Sequence, residues 1–238
     1  MMDVLLAWSG GKDSTLALEA LRAHPGYRVL GLVTTITRDY DRISIHGVRR
    51  SVLEAQVRAL GLPLLEVSIA SSAGNADYEA AFALALHAAQ ARWPGICHMA
   101  FGDLFLADVR AYRERQLAAV GWSGVFPLWG RDTTALARHF VDAGYGAVLT
   151  CVDTTQLPAS FAGREFDSSL LADLPPAVDP CGERGEFHTC AYAGPLFAGP
   201  LTLVTGVRIR RDERFEYCDV LPAADQPAAR LYRAPETG

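Results

Sequence analysis

The sequence predicts an α/β protein with a parallel sheet that carries helices on both faces, followed by a smaller C-terminal α+β region. Three observations lead to this fold class. Short apolar runs alternate with segments of helical periodicity along residues 1–153. The apolar runs are continuous rather than alternating, as expected of strands that are covered on both faces. After about residue 154 the chain becomes richer in Pro, Gly and turn-forming residues.

The elements of the first region follow one another in a regular order. The first strand is an unbroken apolar run, and the next strand is rich in β-branched residues. The predicted helices show apolar spacing of three to four residues, and each ends at a Gly or at a Pro-Gly pair. The predicted strands cover residues 4–8, 29–35, 63–69, 96–101, 125–129 and 147–152, and the predicted helices cover residues 13–23, 48–60, 78–92, 107–120 and 133–143.

The rest of the chain predicts a substrate-binding region over residues 154–222. It contains one short helix at 168–174 and two strands at 201–209 and 214–221. A polar turn between these strands favours an antiparallel pair. Residues 223–238 show little apolar pattern and are predicted to form a flexible tail. The predicted domains are therefore an ATP-binding domain over residues 1–153, this region, and the tail.

Composition excludes several classes of protein. Half of the residues are hydrophobic, the net charge is −5 and the five cysteines are scattered. These values exclude a mainly disordered chain, and they disfavour a generally basic nucleic-acid binder and a disulfide framework. No apolar run is long enough to span a membrane, and the first residues lack a basic segment typical of a signal peptide. We therefore expect a cytoplasmic protein.

The strongest local signal is the segment Ser9-Gly10-Gly11-Lys12-Asp13-Ser14, between the first strand and the first helix. Glycines let the backbone point its N–H groups outward, and the helix N-terminus adds partial positive charge, so the segment predicts a phosphate site. Lys12 is the single lysine of the chain, and we expect it to be an exposed point charge for phosphate. The spacing differs from the Walker A and dinucleotide-binding patterns. The alternative is a glycine-rich turn with a helix cap.

This segment resembles the PP-loop of the N-type ATP pyrophosphatases. Three later stretches, 101–104, 126–130 and 179–189, together with it resemble the diphthine–ammonia ligase family and its bacterial relatives, over residues 2–220. The resemblance implies a five-stranded parallel sheet and cleavage of ATP between the α- and β-phosphates. It also implies transfer of AMP to a carboxylate, from which ammonia then displaces AMP. In the named activity the acceptor is diphthine on translation elongation factor 2.

The resemblance also implies the site residues. ATP and Mg²⁺ are the expected cofactors. Asp103 follows a strand end, where open α/β sheets bind ligands, and it is expected to hold Mg²⁺ and to act in catalysis. The alternative for Asp103 is a helix N-cap. The residues expected to contact the nucleotide are Ser9, Gly10, Gly11, Lys12, Asp13, Ser14, Thr34, His46 and Gly102.

Two carboxylates lie three residues apart in a glycine-containing loop. Glu183 and Glu186 are expected to hold ammonia, an amine or a metal, and with Lys12 and Asp103 they complete the expected catalytic set. The alternative is that they pair with Arg184 or Arg164 and shape the loop. The nearby Cys181, His188 and Cys190 lack the spacing of a zinc site, so His188 is expected to anchor the loop or to hydrogen-bond a substrate.

These observations predict an ATP-dependent, amide-forming ligase of the ATP pyrophosphatase type. Its expected partners are a carboxylate-bearing acceptor, either a small molecule or a modified protein side chain, and ammonia or an amine as donor. A homodimer is allowed for, whereas nucleic acid and membrane are not expected as partners. Two alternatives stay open: a non-catalytic ATP-binding sensor, and a PP-loop tRNA-modifying enzyme, which the acidic pI and the scattered cysteines disfavour.

Overall fold

The computed structural model describes residues 1–44, 46–223 and 231–232, and the chain divides into two compact units. The first unit contains Met1–Ser9, Asp13–Ser44 and Leu62–Gly130. The second contains Gly10–Lys12, Ile45–Gly61 and Arg131–Gly238. Most of the predicted tail, 223–238, lies outside the described residues.

Six α-helices, one 3-10 helix at Ala159–Phe161 and eleven strands make up the described elements. The helices are α1 (Lys12–Ala23), α2 (Arg50–Leu60), α3 (Asn75–Arg92), α4 (Ala107–Ala118), α5 (Thr133–Asp142) and α6 (Ser168–Asp173). The strands are β1 (Met2–Ala7), β2 (Tyr27–Thr37), β3 (Arg42–Ile43), β4 (Leu64–Ile69), β5 (His98–Ala100), β6 (Ser123–Val125), β7 (Gly146–Asp153), β8 (Phe187–Ala193), β9 (Leu203–Arg211), β10 (Phe215–Pro222) and β11 (Leu231–Tyr232).

The first unit is built on a mostly parallel sheet, which confirms the predicted α/β class. Its parallel strands lie in the order β4-β2-β1-β5-β6, and β3 adds a short antiparallel pairing at the end of β2. Strand β1 lies at the centre of the sheet. Its residues Val4, Leu5 and Leu6 are fully buried there. Side chains of α3, including Phe82 and Leu86, belong to the core cluster that also contains Leu5.

The strand order reverses at β1, because the chain passes from β1 to β2 on one side and later places β5 on the other. In open α/β sheets, the crevice at the carboxyl ends of such strands is where ligands bind. Ser9 follows β1 here, and Gly102 follows β5. A Cβ atom on Gly102 would lie 2.9 Å from the backbone of Asp13, so the chain after β5 passes directly against the first turn of α1.

The second unit contains an antiparallel sheet in the order β11-β9-β10-β7-β8. The predicted antiparallel pair corresponds to β9 and β10, which pair from Phe215 opposite Arg211 to Pro222 opposite Leu203. The sequence pattern placed β7 in the parallel sheet, but it pairs antiparallel with β8 and β10. Every residue of β7 is buried, and such a continuous apolar run is the same in a central strand of either kind of sheet.

Over the part of the chain that is described, no helix combines the length and the apolar character that crossing a bilayer requires.

Candidate phosphate-binding site

The loop between β1 and α1 is held through the carbonyl oxygen of Gly10. This oxygen accepts hydrogen bonds of 2.8 Å from the backbone N–H of Ala191 in β8 and from the side-chain amide of Gln56. Gln56 lies on α2, is fully buried, and donates a second bond of 2.7 Å to the carbonyl of Ala191. Gly10 has a φ of 78°, which favours glycine, and a Cβ there would lie 2.8 Å from Gln56 Oε1.

Thr189 holds the other end of the three-residue segment Gly10–Lys12. The backbone N–H of Lys12 donates to Thr189 Oγ1 at 3.0 Å, and Thr189 is buried. Strand β8 therefore bonds both to Gly10 and to Lys12, so its geometry fixes the backbone of the loop.

The side chain of Lys12 is buried, so the expectation of an exposed lysine is wrong. Only 2% of its surface is exposed. Its ammonium group donates to the carbonyl oxygen of Cys181 and lies 5.4 Å and 5.7 Å from the ring centroids of Phe187 and Phe166. Burial of the ammonium group is tolerated because the aromatic faces and the carbonyl dipole replace the interactions that it made with water.

Ser9, Asp13 and Ser14 of the motif belong to the first unit, whereas Gly11 belongs to the second. Ser9 Oγ donates to Ser14 Oγ at 3.2 Å across the loop, and Ser14 is buried. Asp13 lies in the first turn of α1, where a carboxylate is favourable. Thr34 was expected at the nucleotide, and its hydroxyl donates to the carbonyl of Trp8 at 2.7 Å. This hydrogen bond therefore fixes the chain at Trp8, between the end of β1 and the Ser9–Ser14 loop.

Asp103 forms an ion pair with Arg113. The distances are 2.8 Å from Nε to Oδ2 and 3.1 Å from Nη2 to Oδ1, and the guanidinium lies 4.5 Å from the ring centroid of Phe101. The helix-cap alternative is wrong, because the N-cap of α4 is Leu106 and no side chain caps it.

The ion pair also bears on the expected magnesium site. Arg113 donates a hydrogen bond to Oδ1 of Asp103, whereas Oδ2 lies 2.8 Å from Arg113 Nε but is buried without a hydrogen-bond partner among the described residues. Within the described residues, no group of three or more His, Cys, Asp or Glu side chains could hold a metal ion. The binding of magnesium at Asp103 stays a prediction.

Two histidines lie together in the second unit. The ring centroids of His46 and His188 are 4.6 Å apart, and the hydroxyl of Thr150 lies within hydrogen-bonding distance of both backbone carbonyls. Burial, and then the positive charge of Lys12, lower the pKa of His188 to about 4. Burial, then His188 and Lys12, hold the pKa of His46 well below its ordinary value. Both imidazoles are therefore neutral at pH 7.

The loop that carries Glu183 and Glu186 gives the two carboxylates different surroundings. Glu186 is buried, and its oxygens accept 2.9 Å bonds from the backbone N–H groups of Asp179 and Arg184. This geometry corresponds to the loop-shaping alternative, since both oxygens are engaged within the loop. Glu183 is half-buried. The loop thereby presents the carbonyl of Cys181 to Lys12.

Sequence reasoning missed Gln56, Thr150 and Thr189 as positioning residues. A signal for Gln56 exists, because it is the one polar residue among the buried positions of α2, which otherwise are Val52, Leu53 and Leu60. Nothing comparable marks the two threonines, because a hydroxyl in a β-rich run is ordinary.

Comparison with known proteins shows which family the chain resembles over most of its length. The diphthamide synthase N-terminal domain matches residues 2–115, and the diphthamide synthase C-terminal domain matches residues 132–223. The diphthine–ammonia ligase of Schizosaccharomyces pombe is 24% identical over 219 residues, which cover 85% of this chain and 36% of that protein. The chain thus spans about a third of the length of this relative. With both diphthamide synthase domains present in order, the chain belongs to the diphthine–ammonia ligase family.

Proposed function

We propose that the chain is an ATP-dependent ligase that transfers AMP to a carboxylate and then forms an amide with ammonia or an amine. The observation that carries the proposal is the loop at the carboxyl end of β1, whose lysine and backbone are fixed by β8. Membership of the family supports the reaction class, since the relative from S. pombe is named a diphthine–ammonia ligase.

The reaction has two steps in this proposal. A carboxylate oxygen attacks the α-phosphorus of ATP, the bond to the bridging oxygen of the β-phosphate breaks, and pyrophosphate leaves. The nitrogen of ammonia or an amine then attacks the carbonyl carbon, AMP leaves, and the nitrogen loses a proton. The chain contributes position and electrostatics rather than a covalent intermediate.

Lys12 supplies the charge for the first step. Its ammonium group neutralises the charge that develops on the pyrophosphate, and the backbone N–H groups at the start of α1 add to this. Because the ammonium donates to the Cys181 carbonyl, phosphate oxygens exchange with that carbonyl or share the ammonium with it. The aromatic faces of Phe166 and Phe187 exclude water around the charge, which strengthens its interaction with phosphate.

Glu183 is the carboxylate that we assign to the nitrogen donor or to a cationic part of the acceptor. It is less buried than Glu186, whose two oxygens hold backbone N–H groups. The acceptor class is a carboxylate, and diphthine is the first compound to test, given the name of the relative.

The test is the identity of the products from ATP. The protein is incubated with ATP, ammonium and diphthine, and nucleotides and phosphates are separated and quantified. We expect AMP and pyrophosphate in equal amounts, only when all substrates are present. Lys12→Met, which keeps the length of the buried chain without the charge, should abolish both products. ADP as product, or bound ATP that stays intact with every acceptor, would contradict the proposal, and the second result would favour an ATP-binding sensor.

A further inference from the structure

We propose that a cavity beside β6 binds a small organic acid with an apolar body, whose carboxylate pairs with the guanidinium group of Arg110. The cavity measures about 410 Å³, and all its lining residues belong to the first unit. A volume of this size is typical of small-molecule sites. The inference does not rest on the proposed function, because it concerns binding without ATP, and it assigns a role to the stretch 126–130.

Arg110 lines the cavity, and its side chain is held in place by three neighbours. The guanidinium lies 4.6 Å from the ring centroid of Phe126 and 4.7 Å from that of Trp129, and the two rings meet edge to face. Its Nε donates a hydrogen bond of 2.8 Å to Glu114, one turn further along α4. Because these contacts already fix the side chain, little conformational entropy is left to lose when a ligand binds.

The remaining donors of Arg110 suit a carboxylate. Among the described residues Glu114 engages Nε, so the two Nη groups are left as a planar fork of donors. Such a fork matches the two oxygens of a carboxylate, which makes the pair strong and directional. The ion pair with Glu114 is partly exposed and screened by water, so it does not prevent a second carboxylate from binding at the Nη groups.

Hydrogen-bonding side chains also lie at the other end of β6. His98 and Ser123 line the cavity and are opposite each other in the parallel ladder, so their side chains share one face of the sheet. From Ser123 to Phe126, which packs on Arg110, the chain advances by three residues, or about 10 Å in a strand. A ligand that reaches both ends therefore carries a polar group about 10 Å from its carboxylate.

The wall between these ends is largely apolar. Met2, Tyr27 and Val125 line it with apolar side chains. Strand β6 pairs with β5 alone among the described strands, and Ser123 and Val125 make its hydrogen bonds to the residues that flank β5. The N–H and C=O of Gly124 therefore point away from β5. An apolar body with a carboxylate at one end and a hydroxyl at the other is the ligand that fits this lining.

The experiment uses 3-(4-hydroxyphenyl)propionate as the probe and the full chain, without ATP, as the protein. Binding is followed by NMR, and we expect the backbone amide signals of Gly124 and Val125 to shift. The neutral compound 3-(4-hydroxyphenyl)propanamide should bind at least about tenfold more weakly, because the charge-assisted pair with Arg110 is lost. The acid without the hydroxyl, 3-phenylpropionate, should bind about threefold more weakly. These comparisons need no substitution and so do not depend on the folding of a variant.

Substitutions then locate the carboxylate. Arg110→Gln should weaken binding of the acid by at least about tenfold and remove the preference for the acid over its amide. Arg110→Lys keeps the charge without the fork and should recover only part of the affinity. Arg115→Gln is the matched control, because Arg115 lies exposed on the same helix, and it should bind like the wild type. Ser123→Phe fills the cavity and should abolish binding without a change of charge.

Four results would each overturn the proposal. They are equal affinity of the wild type for the acid and its amide, full affinity in Arg110→Gln, an equal loss of affinity in Arg115→Gln, and unshifted signals of Gly124 and Val125. The third result would show that the acid responds to the general charge of α4 rather than to a built site. Since ATP takes no part in these measurements, their outcome is independent of the ligase test.

Discussion

The side-chain amide of Gln56 donates a 2.8 Å hydrogen bond to the carbonyl of Gly10 and a 2.7 Å bond to the carbonyl of Ala191. One buried side chain on α2 thus connects the segment Gly10–Lys12 to β8. Because Nε2 carries two N–H donors, both are used, and the amide cannot rotate without losing a bond.

Replacement of Gln56 is expected to weaken both the fold and the site. Gln56→Leu removes two bonds to buried carbonyls, so the free energy of unfolding should fall by about 1–3 kcal/mol. ATP affinity should fall as well, because the backbone of Gly10 is released. Chemical denaturation and calorimetry provide the two measurements.

Gln116→Leu is the matched control for this prediction. The amide nitrogen of Gln116 is buried without a hydrogen-bond partner among the described residues, so its loss should be neutral or stabilising. If both variants lost the same unfolding free energy, the two hydrogen bonds of Gln56 would not contribute measurably to stability.

The loop-shaping role of Glu186 predicts a stability effect rather than a purely catalytic one. Glu186→Gln replaces one accepting oxygen by an NH₂ group that faces a backbone N–H, and it should lower the free energy of unfolding by about 1–3 kcal/mol. Glu183→Gln should change stability little, because Glu183 is half-buried and not enclosed. If Glu186→Gln unfolds at the wild-type denaturant concentration while losing activity, the acceptor role expected from the sequence is the better one.

The ion pair between Asp103 and Arg113 allows a test of whether Asp103 stabilises the fold or binds a metal ion. Their side chains are 12% and 29% exposed, so loss of the charge in Asp103→Asn should lower stability by about 1–3 kcal/mol. If Asp103 acts only through its ion pair with Arg113, the Mg²⁺ concentration that supports half of the maximal ATP cleavage should not change. Asp108→Asn, an exposed carboxylate in the first turn of α4, serves as control and should lose less than about 1 kcal/mol. A clear rise in the Mg²⁺ requirement of Asp103→Asn would instead identify Asp103 as a ligand.

The two histidines predict how stability depends on pH. The pKa of His188 is lowered from 6.5 to about 4 in the folded protein, and that of His46 is lowered as well. Between about pH 4 and 6.5 the unfolded chain binds more protons, so stability falls as the pH falls through this window, by at most about 1.4 kcal/mol per pH unit for each histidine.

The contribution of one histidine can be isolated by substitution. His188→Gln should reduce the slope of unfolding free energy against pH between 4 and 6.5, whereas His87→Gln should leave it unchanged. Denaturant titrations at four pH values in that window measure the slope. A slope in His188→Gln that equals that of the wild type would contradict the burial of His188 as a neutral base.

The predictable part of the fold is the part that local pattern determines. Continuous apolar strands and glycine-terminated helices are local, and they predicted the parallel sheet of the first unit. The sheet that contains β7 was not predictable, because a strand buried on both faces has no period that identifies its partners. Strand β8 was missed since it lies in a turn-rich stretch, where its pairing with β7 outweighs local preference.

In the site as well, local sequence predicted some features and tertiary contacts determined the others. The loop motif predicted a phosphate site from local chemistry, but burial of Lys12 depends on Phe166, Cys181 and Phe187, far away in the sequence. The ion pair of Asp103 depends on the fold of α4. Tertiary partners of both kinds decide whether a charge is exposed, paired or buried, and the motif residues alone do not identify these partners.

The transfer of AMP to a carboxylate is the central claim, and an oxygen label follows it directly. Diphthine labelled with ¹⁸O in its carboxylate is incubated with the protein, ATP and ammonium, and the products are analysed by mass spectrometry. Attack of the carboxylate on the α-phosphorus predicts AMP that carries one ¹⁸O atom, together with unlabelled pyrophosphate. Unlabelled AMP, or label in inorganic phosphate formed alongside ADP, would contradict adenylation of the carboxylate.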